Sequence, residues 1–186
     1  MLSKAGVLTA DAVLEALVKF GQALVEDFGA ALLGEVSLAL VGSKQFEKAE
    51  GIAGLIKGQE KSEHLRALAE AEAKVGENDR ATALLQVARR AAFIYEFLTE
   101  QAQSIAAVAG TMEAIDKNAA VEFWESAVAV AAPAQNRGGT DGPEASGVLL
   151  EAVEALCRLA RGAEARKVAA QIELPCLRER AIELCK

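Results

Sequence analysis

The sequence predicts an all-α protein, an alpha-alpha superhelix of antiparallel helix pairs with about nine or ten helices. Three observations carry this reading. Of the 186 residues, 52% are hydrophobic but only 4% aromatic, and the excess is alanine and leucine, side chains that lose little freedom in a helix. Alternating runs of valine, threonine, tyrosine and isoleucine are missing and only three prolines interrupt the chain, so a sheet has almost nowhere to form. One phrase then recurs: an alanine-rich helix, a short turn, and a second helix that opens on alanine with apolar residues three, four and seven positions later.

At the start of the chain, Thr9 can cap a helix whose first turn holds Asp11. Its apolar stripe, Val13, Leu14, Leu17, Val18, Leu24, Val25 and Phe28, is interrupted at Gly21. Residues 1–29 are expected to form an N-terminal helix or cap, and residues 30–186 a repeat array, together one domain. The first helices of the pairs fall at 30–41, 63–75, 97–114 and 144–161. Their apolar positions keep helical period: Leu65, Leu68 and Ala69; Leu98, Ala102, Ile105 and Ala109; Leu149, Ala152, Val153 and Leu156.

The second helices carry four aligned sets: Ala49, Ile52, Ala53, Ile56; Ala81, Leu84, Leu85, Ala88; Ala120, Phe123, Trp124, Ala127; and Ala165, Val168, Ala169, Ile172. Spacings of three, four and seven place each set on one stripe, which must bury itself against a neighbour. The sets begin 32, 39 and 45 residues apart, the first interval being close to the helix-pair period of about 34.

Between paired helices, Gly42-Ser43, Gly76 with Asn78-Asp79, Asp116 and Gly162 supply either tolerance of positive φ or a side-chain acceptor for free amides. Pro133 and Pro175 are expected just past the ends of their stripes, where a ring without an amide proton stops propagation. Residues 134–143 are polar and glycine-rich and read as a mobile loop. Leu177, Ala181, Ile182 and Cys185 begin a last helix that covers the exposed face of the final repeat. Gly54 and Gly58 read as a close helix-packing face.

The charge pattern and the reactive side chains narrow the function. A net charge of -7 repels a phosphate backbone, so nucleic acid is not expected as a partner. The imbalance is local: residues 90–136 hold Glu96, Glu100, Glu113, Asp116, Glu122 and Glu125 against Arg90 and Lys117. Asp11, Glu15 and Lys19 interrupt the apolar start that a signal peptide would need, and no apolar run is long enough to span a membrane. Cys157, Cys176 and Cys185 are odd in number and crowded at one end, unlike a disulfide framework, so a cytoplasmic location is expected, with the cysteines as small buried hydrophobes.

His64 is the sole histidine, which leaves no multi-histidine metal site and no ordinary catalytic triad. It reads as a surface residue in the first turn of its helix. The glycine loop lacks the lysine and hydroxyl residue of a phosphate cradle. No catalytic, metal or cofactor residues are therefore assigned, and the chain is not expected to be an enzyme. The cluster Phe93-Ile94-Tyr95-Glu96-Phe97-Leu98 reads as a hydrophobic joint between repeats, the other reading being an exposed binding surface.

In the second and third pairs the phrase Gly76, Ala81, Leu85, Ala88 and the phrase Ala120, Trp124, Ala127 with Pro133 resemble the second helix of the tetratricopeptide repeat superfamily, over about residues 30–186. The resemblance implies that the first helices line a concave groove for an extended peptide or a partner's helix. Groove positions on that reading are Glu63, Arg66, Glu70 and Lys74, continued by Ile105, Met112 and Glu113. Arg66 and Glu70 stand where carboxylate-gripping members carry a lysine and asparagine clamp, so that activity is not implied. The expected function is a scaffold or adaptor that binds another protein, the chain being a monomer or homodimer with no membrane partner. The alternatives are a helical bundle around an apolar small molecule and a non-catalytic accessory subunit of an enzyme complex.

Overall fold

The computed structural model describes residues 10–24, 26–58, 60–137 and 141–185. Among them are ten α-helices and no strand. They are α1 (Ala10–Ala23), α2 (Glu26–Gly42), α3 (Phe46–Ala53), α4 (Glu60–Lys74), α5 (Asn78–Ala91), α6 (Leu98–Ile115), α7 (Lys117–Ala134), α8 (Asp141–Arg158), α9 (Gly162–Ala169) and α10 (Pro175–Leu184). No described helix is long and apolar enough to cross a membrane.

The apolar stripes dictate how these helices pair. Every residue of the four aligned sets is at most 8% exposed, and their leading alanines Ala49, Ala81, Ala120 and Ala165 have no exposed surface. Alanine at those places lets two helix backbones approach closely, while Leu85, Trp124 and Ile172 fill the space beside them. Burial of the larger side chains contributes roughly 1.5–3 kcal/mol each, which is what holds short helices such as the eight-residue α3 and α9 in place. Each first helix packs on its own second helix and on the next first helix: α2 on α3 and α4, α4 on α5 and α6, α6 on α7 and α8. Each second helix also reaches the first helix that follows, α3 to α4, α5 to α6 and α7 to α8. The series closes with α8 on α9 and with α10 on both.

Three of the four hairpins turn in the same way. The amides of Gln45, Glu77 and Arg161 donate back to the carbonyls of Leu40, Glu72 and Leu156, and the residue before each has positive φ: Lys44 at 59°, Gly76 at 91° and Ala160 at 60°. This is the glycine-favouring helix stop, filled by glycine in only one of three cases. Gly42 and Gly162 therefore do not serve as the expected breaks. Gly42 is the last residue of α2 and Gly162 the first of α9, neither at positive φ, and Asn78-Asp79 are the first helical residues of α5 rather than its cap. Asp116 acts as expected: its Oδ1 accepts from the amides of Asn118 (2.8 Å) and Ala119 (3.1 Å), so α6 passes into α7 without a left-handed residue.

Other boundaries differ from the sequence reading. The first stripe does not run unbroken to Phe28, because α1 stops at Ala23 and α2 begins at Glu26. Gly21 is buried where the two helices cross near Gly29, while Phe28 is 73% exposed. The expected limit of the cap at residue 29 thus falls within α2, and Thr9 lies outside the described residues. Gly54 ends α3 and Gly58 turns with φ of 75°, so the two do not share a helix face. Pro133 lies within α7, where the ring forfeits a single bond in the final turn, and Pro175 opens α10, a position whose amide would be unpaired in any case.

Of the segment 134–143, Ala134 completes α7, residues 135–137 form a 3₁₀ turn and 141–143 begin α8, while 138–140 lie outside the described residues. Gln135 is 7% exposed and ties three elements. Its Nε2 donates to the Gln171 carbonyl at 3.0 Å, and its Oε1 accepts from Ser146 Oγ at 2.8 Å and from the Glu173 amide at 3.0 Å. Cys157 and Cys185 are half-buried and Cys176 is exposed, so none is a fully buried apolar filler.

Candidate protein-binding groove

The first helices α4 and α6 pack side by side, and small residues on α6 leave the seam between them open. Ala106, Ala107, Gly110, Thr111, Ala114 and Ile115 face Arg66, Glu70, Ala73 and Lys74 of α4 across a groove of 710 Å³ that Asn78 and Glu151 of α8 complete. A Cβ at Gly110 would meet nothing within 4 Å, so this glycine opens onto the groove and not onto a neighbouring helix. A second recess of 300 Å³ continues past Arg66 and Ala107, which line both, to Ser62, Glu63, Tyr95, Glu100, Gln103 and Ser104.

The walls are charged and internally ordered. Glu70 holds two cations of α4, Lys74 at 2.8 Å and Arg66 at 3.8 Å. These pairs are exposed i,i+4 contacts that contribute a few tenths of a kcal/mol. The Lys74 ammonium, and less strongly Arg66, hold the Glu70 carboxyl below its ordinary value. At the far end Ser62 Oγ donates to the Ala88 carbonyl at 2.9 Å and meets Ser104 Oγ at 2.9 Å, which fixes α4, α5 and α6 together beneath the recess. Burial raises the Tyr95 phenol, and the carboxylates of Glu63, Glu60 and Glu100 add to that rise, so negative charge converges on this end. Among the described residues no ion pair is formed by Glu63, Glu100 or Glu151.

Of the groove positions expected from the sequence, Glu63, Arg66, Glu70 and Lys74 line the two recesses. Ile105 and Met112 do not: both have no exposed surface and lie on the opposite side of α6, in the core. Their intervals along the helix place them with the buried Ala102 and Ala109, and the groove floor falls to Ala107, Gly110, Thr111 and Ala114. Glu113 is engaged by Arg158 of α8, whose Nε and Nη2 donate to its two oxygens at 3.0 and 3.2 Å.

Comparison with protein families, with curated proteins and with solved structures finds no match.

The segment after α5 adds to the groove. Ala92 is buried and Leu98 half-buried, so these two make the joint between α5 and α6, whereas Phe93, Ile94 and Phe97 are 52%, 59% and 54% exposed. These three leave an apolar rim beside Tyr95 at the acidic end. The hint for the small-residue floor was in the sequence, since Ala106-Ala107 and Gly110-Thr111 repeat at spacing four on a helix with too many alanines for one buried stripe.

His64 is half-buried on the other side of α4. Its imidazole lies against Gly34 of α2, where a Cβ would collide with Nδ1 and Cε1, so it packs two helices together and is not a surface residue. The acidic middle segment is likewise partly spent within the fold. Asp116 caps α7, Glu113 holds Arg158, and Glu122 accepts from Arg89 at 3.0 Å while that guanidinium stacks 4.4 Å over the Phe123 ring. Among the described residues no group of three or more His, Cys, Asp or Glu side chains is placed to hold a metal ion.

Proposed function

We propose that this chain is a tetratricopeptide-like helical repeat that binds another protein, taking an extended or helical segment of it along the groove between α4 and α6. The observation that carries the reading is the groove floor: a line of alanine, glycine and threonine on α6, open along its length and bounded by charged side chains on α4. A floor of small side chains admits a polypeptide close to the helix backbone, and bulky anchors of the partner find depth there. Serial packing of first helix on first helix supports the concave arrangement that such binding uses.

The charge at the site selects the partner's chemistry. Glu63, Glu100 and Glu151 add acidic charge that Arg66 and Lys74, both engaged with Glu70, do not offset. A segment with a lysine or arginine at the Tyr95 end and apolar residues following it along α6 is complementary in charge and shape. The apolar rim of Phe93, Ile94 and Phe97 extends the contact area at that end.

A displayed library of random peptides tests this. Peptides are selected on the full chain and counter-selected on a variant whose groove is filled, Ala107→Trp with Gly110→Trp. Both positions are exposed and Gly110 meets open space, so the variant is expected to fold. Recovered peptides should carry a basic residue next to apolar ones and should lose at least about tenfold in affinity for the filled variant, or about 1.4 kcal/mol. Peptides that bind both proteins equally would remove the groove from the account.

A further inference from the structure

Away from the groove, the end of α10 brings two thiols together. Cys157 lies near the end of α8 and Cys185 directly follows α10. Both are half-buried, and their Sγ atoms are 3.8 Å apart. A disulfide needs about 2.05 Å between sulfurs, so rotation of two side chains and a small adjustment at the end of α10 would close the gap. The third cysteine, Cys176 in the first turn of α10, is exposed and serves as an internal control.

The position of the pair gives the bond a consequence. Within α10 the sole buried residue is Ala181, and Ile182 and Leu184 are 49% and 43% exposed, so this helix has a small share in the core. Its other named tie to α8 is the exposed pair of Arg180 Nη2 and Glu154 Oε1 at 3.1 Å, a contact worth little in water. Yet α10 covers the last hairpin, packing on both α8 and α9. A cross-link from Cys157 to Cys185 would enclose α9 and α10 in one loop and fasten a helix with a small share in the core to the array.

We propose that Cys157 and Cys185 form a site of reversible oxidation by low-molecular-weight disulfides, and that the resulting bond locks α10 onto α8. One of the two thiols loses its proton and attacks a sulfur of the small disulfide, giving a mixed disulfide and releasing one small thiolate. The other thiol, deprotonated in turn, attacks the protein sulfur of that mixed disulfide and expels the second small thiolate. The two protons lost by the protein end on the two released thiols. The protein is thus oxidised by two electrons and the small disulfide is reduced by two. Burial and the adjacent Cys157 push the Cys185 thiol above its ordinary range, with Arg166 opposing. This proposal stands independently of the groove.

Equilibration of the native full chain with glutathione disulfide and glutathione, followed by acid quench and peptide mass spectrometry, tests it. The wild type and Cys176→Ser should yield one intramolecular link between the peptides holding Cys157 and Cys185, with amide exchange in α10 slowed by about tenfold and restored by dithiothreitol. Cys157→Ser and Cys185→Ser should instead stop at a glutathione adduct on the remaining thiol. The wild type needs no folding control. Stable glutathione adducts on both Cys157 and Cys185, a link that includes Cys176, covalent dimers, or a link seen only after urea would each overturn the proposal.

Discussion

Glu72 is the residue at which the fold departs furthest from what its repeat geometry asks for. Its carbonyl closes the turn after α4 as those of Leu40 and Leu156 close theirs, so the repeat asks for a leucine side chain here. The carboxylate has no exposed surface and no hydrogen bond. Its nearest cation is Arg80, whose Nε is 3.9 Å away and whose Nη2 is paired with Glu50. Burial first, then Glu50, push the Glu72 pKa up to about 7, with Arg80 opposing and Glu77 adding to the rise. Because the folded-state value is raised above the unfolded one, the folded chain takes up a proton, and stability is greatest below the unfolded value and falls as pH rises through about 7. Glu72→Gln should flatten that dependence and stabilise the protein at pH values above about 8 by about 1–3 kcal/mol, read from urea unfolding at several pH values. An unchanged slope would show that the side chain reaches water. Gly34 makes a second case: Gly34→Ala drives a methyl into His64 and should cost about 1–3 kcal/mol, largely relieved by adding His64→Ala, as a double-mutant cycle of thermal unfolding would measure.

Among the helices and turns, the sequence was informative where burial is periodic and silent where geometry is local. The four stripes from Ala49 to Ile172 are all buried because spacing of three and four has one physical outcome on a helix. Turns could not be placed as well. Positive φ falls on Lys44 and Ala160, which carry no conformational signal, whereas the sequence points to Gly42 and Gly162 two residues away. Ala160→Gly should therefore stabilise the α8–α9 turn, and Gly76→Ala weaken the α4–α5 turn, by about 0.5–1 kcal/mol each in denaturant midpoint at constant slope. The segment after α7 makes a related case. Polar, glycine-rich composition suggests a loop, but Gln135 uses its amide to hold Ser146, Gln171 and Glu173, and Gln135→Ala should cost about 1–3 kcal/mol by leaving those groups unpaired.

For the molecule as a whole, the groove was legible from α4 and illegible from α6. Glu63, Arg66, Glu70 and Lys74, the first-helix positions that the repeat resemblance implies, line the two recesses. On α6, Ile105 and Met112 lie in the core, because it is the smallest side chains that make the floor and the larger ones that fill the interior. The central claim is that successive first helices present this floor to another polypeptide. Amide hydrogen exchange of the full chain, with and without a peptide selected against the groove-filled variant, tests it most directly. The account predicts added protection in α4 and α6 and in the segment 92–97 that joins α5 to α6, with none in α7 or α9. Protection centred on α7 or α9, with α4 and α6 unchanged, would contradict it.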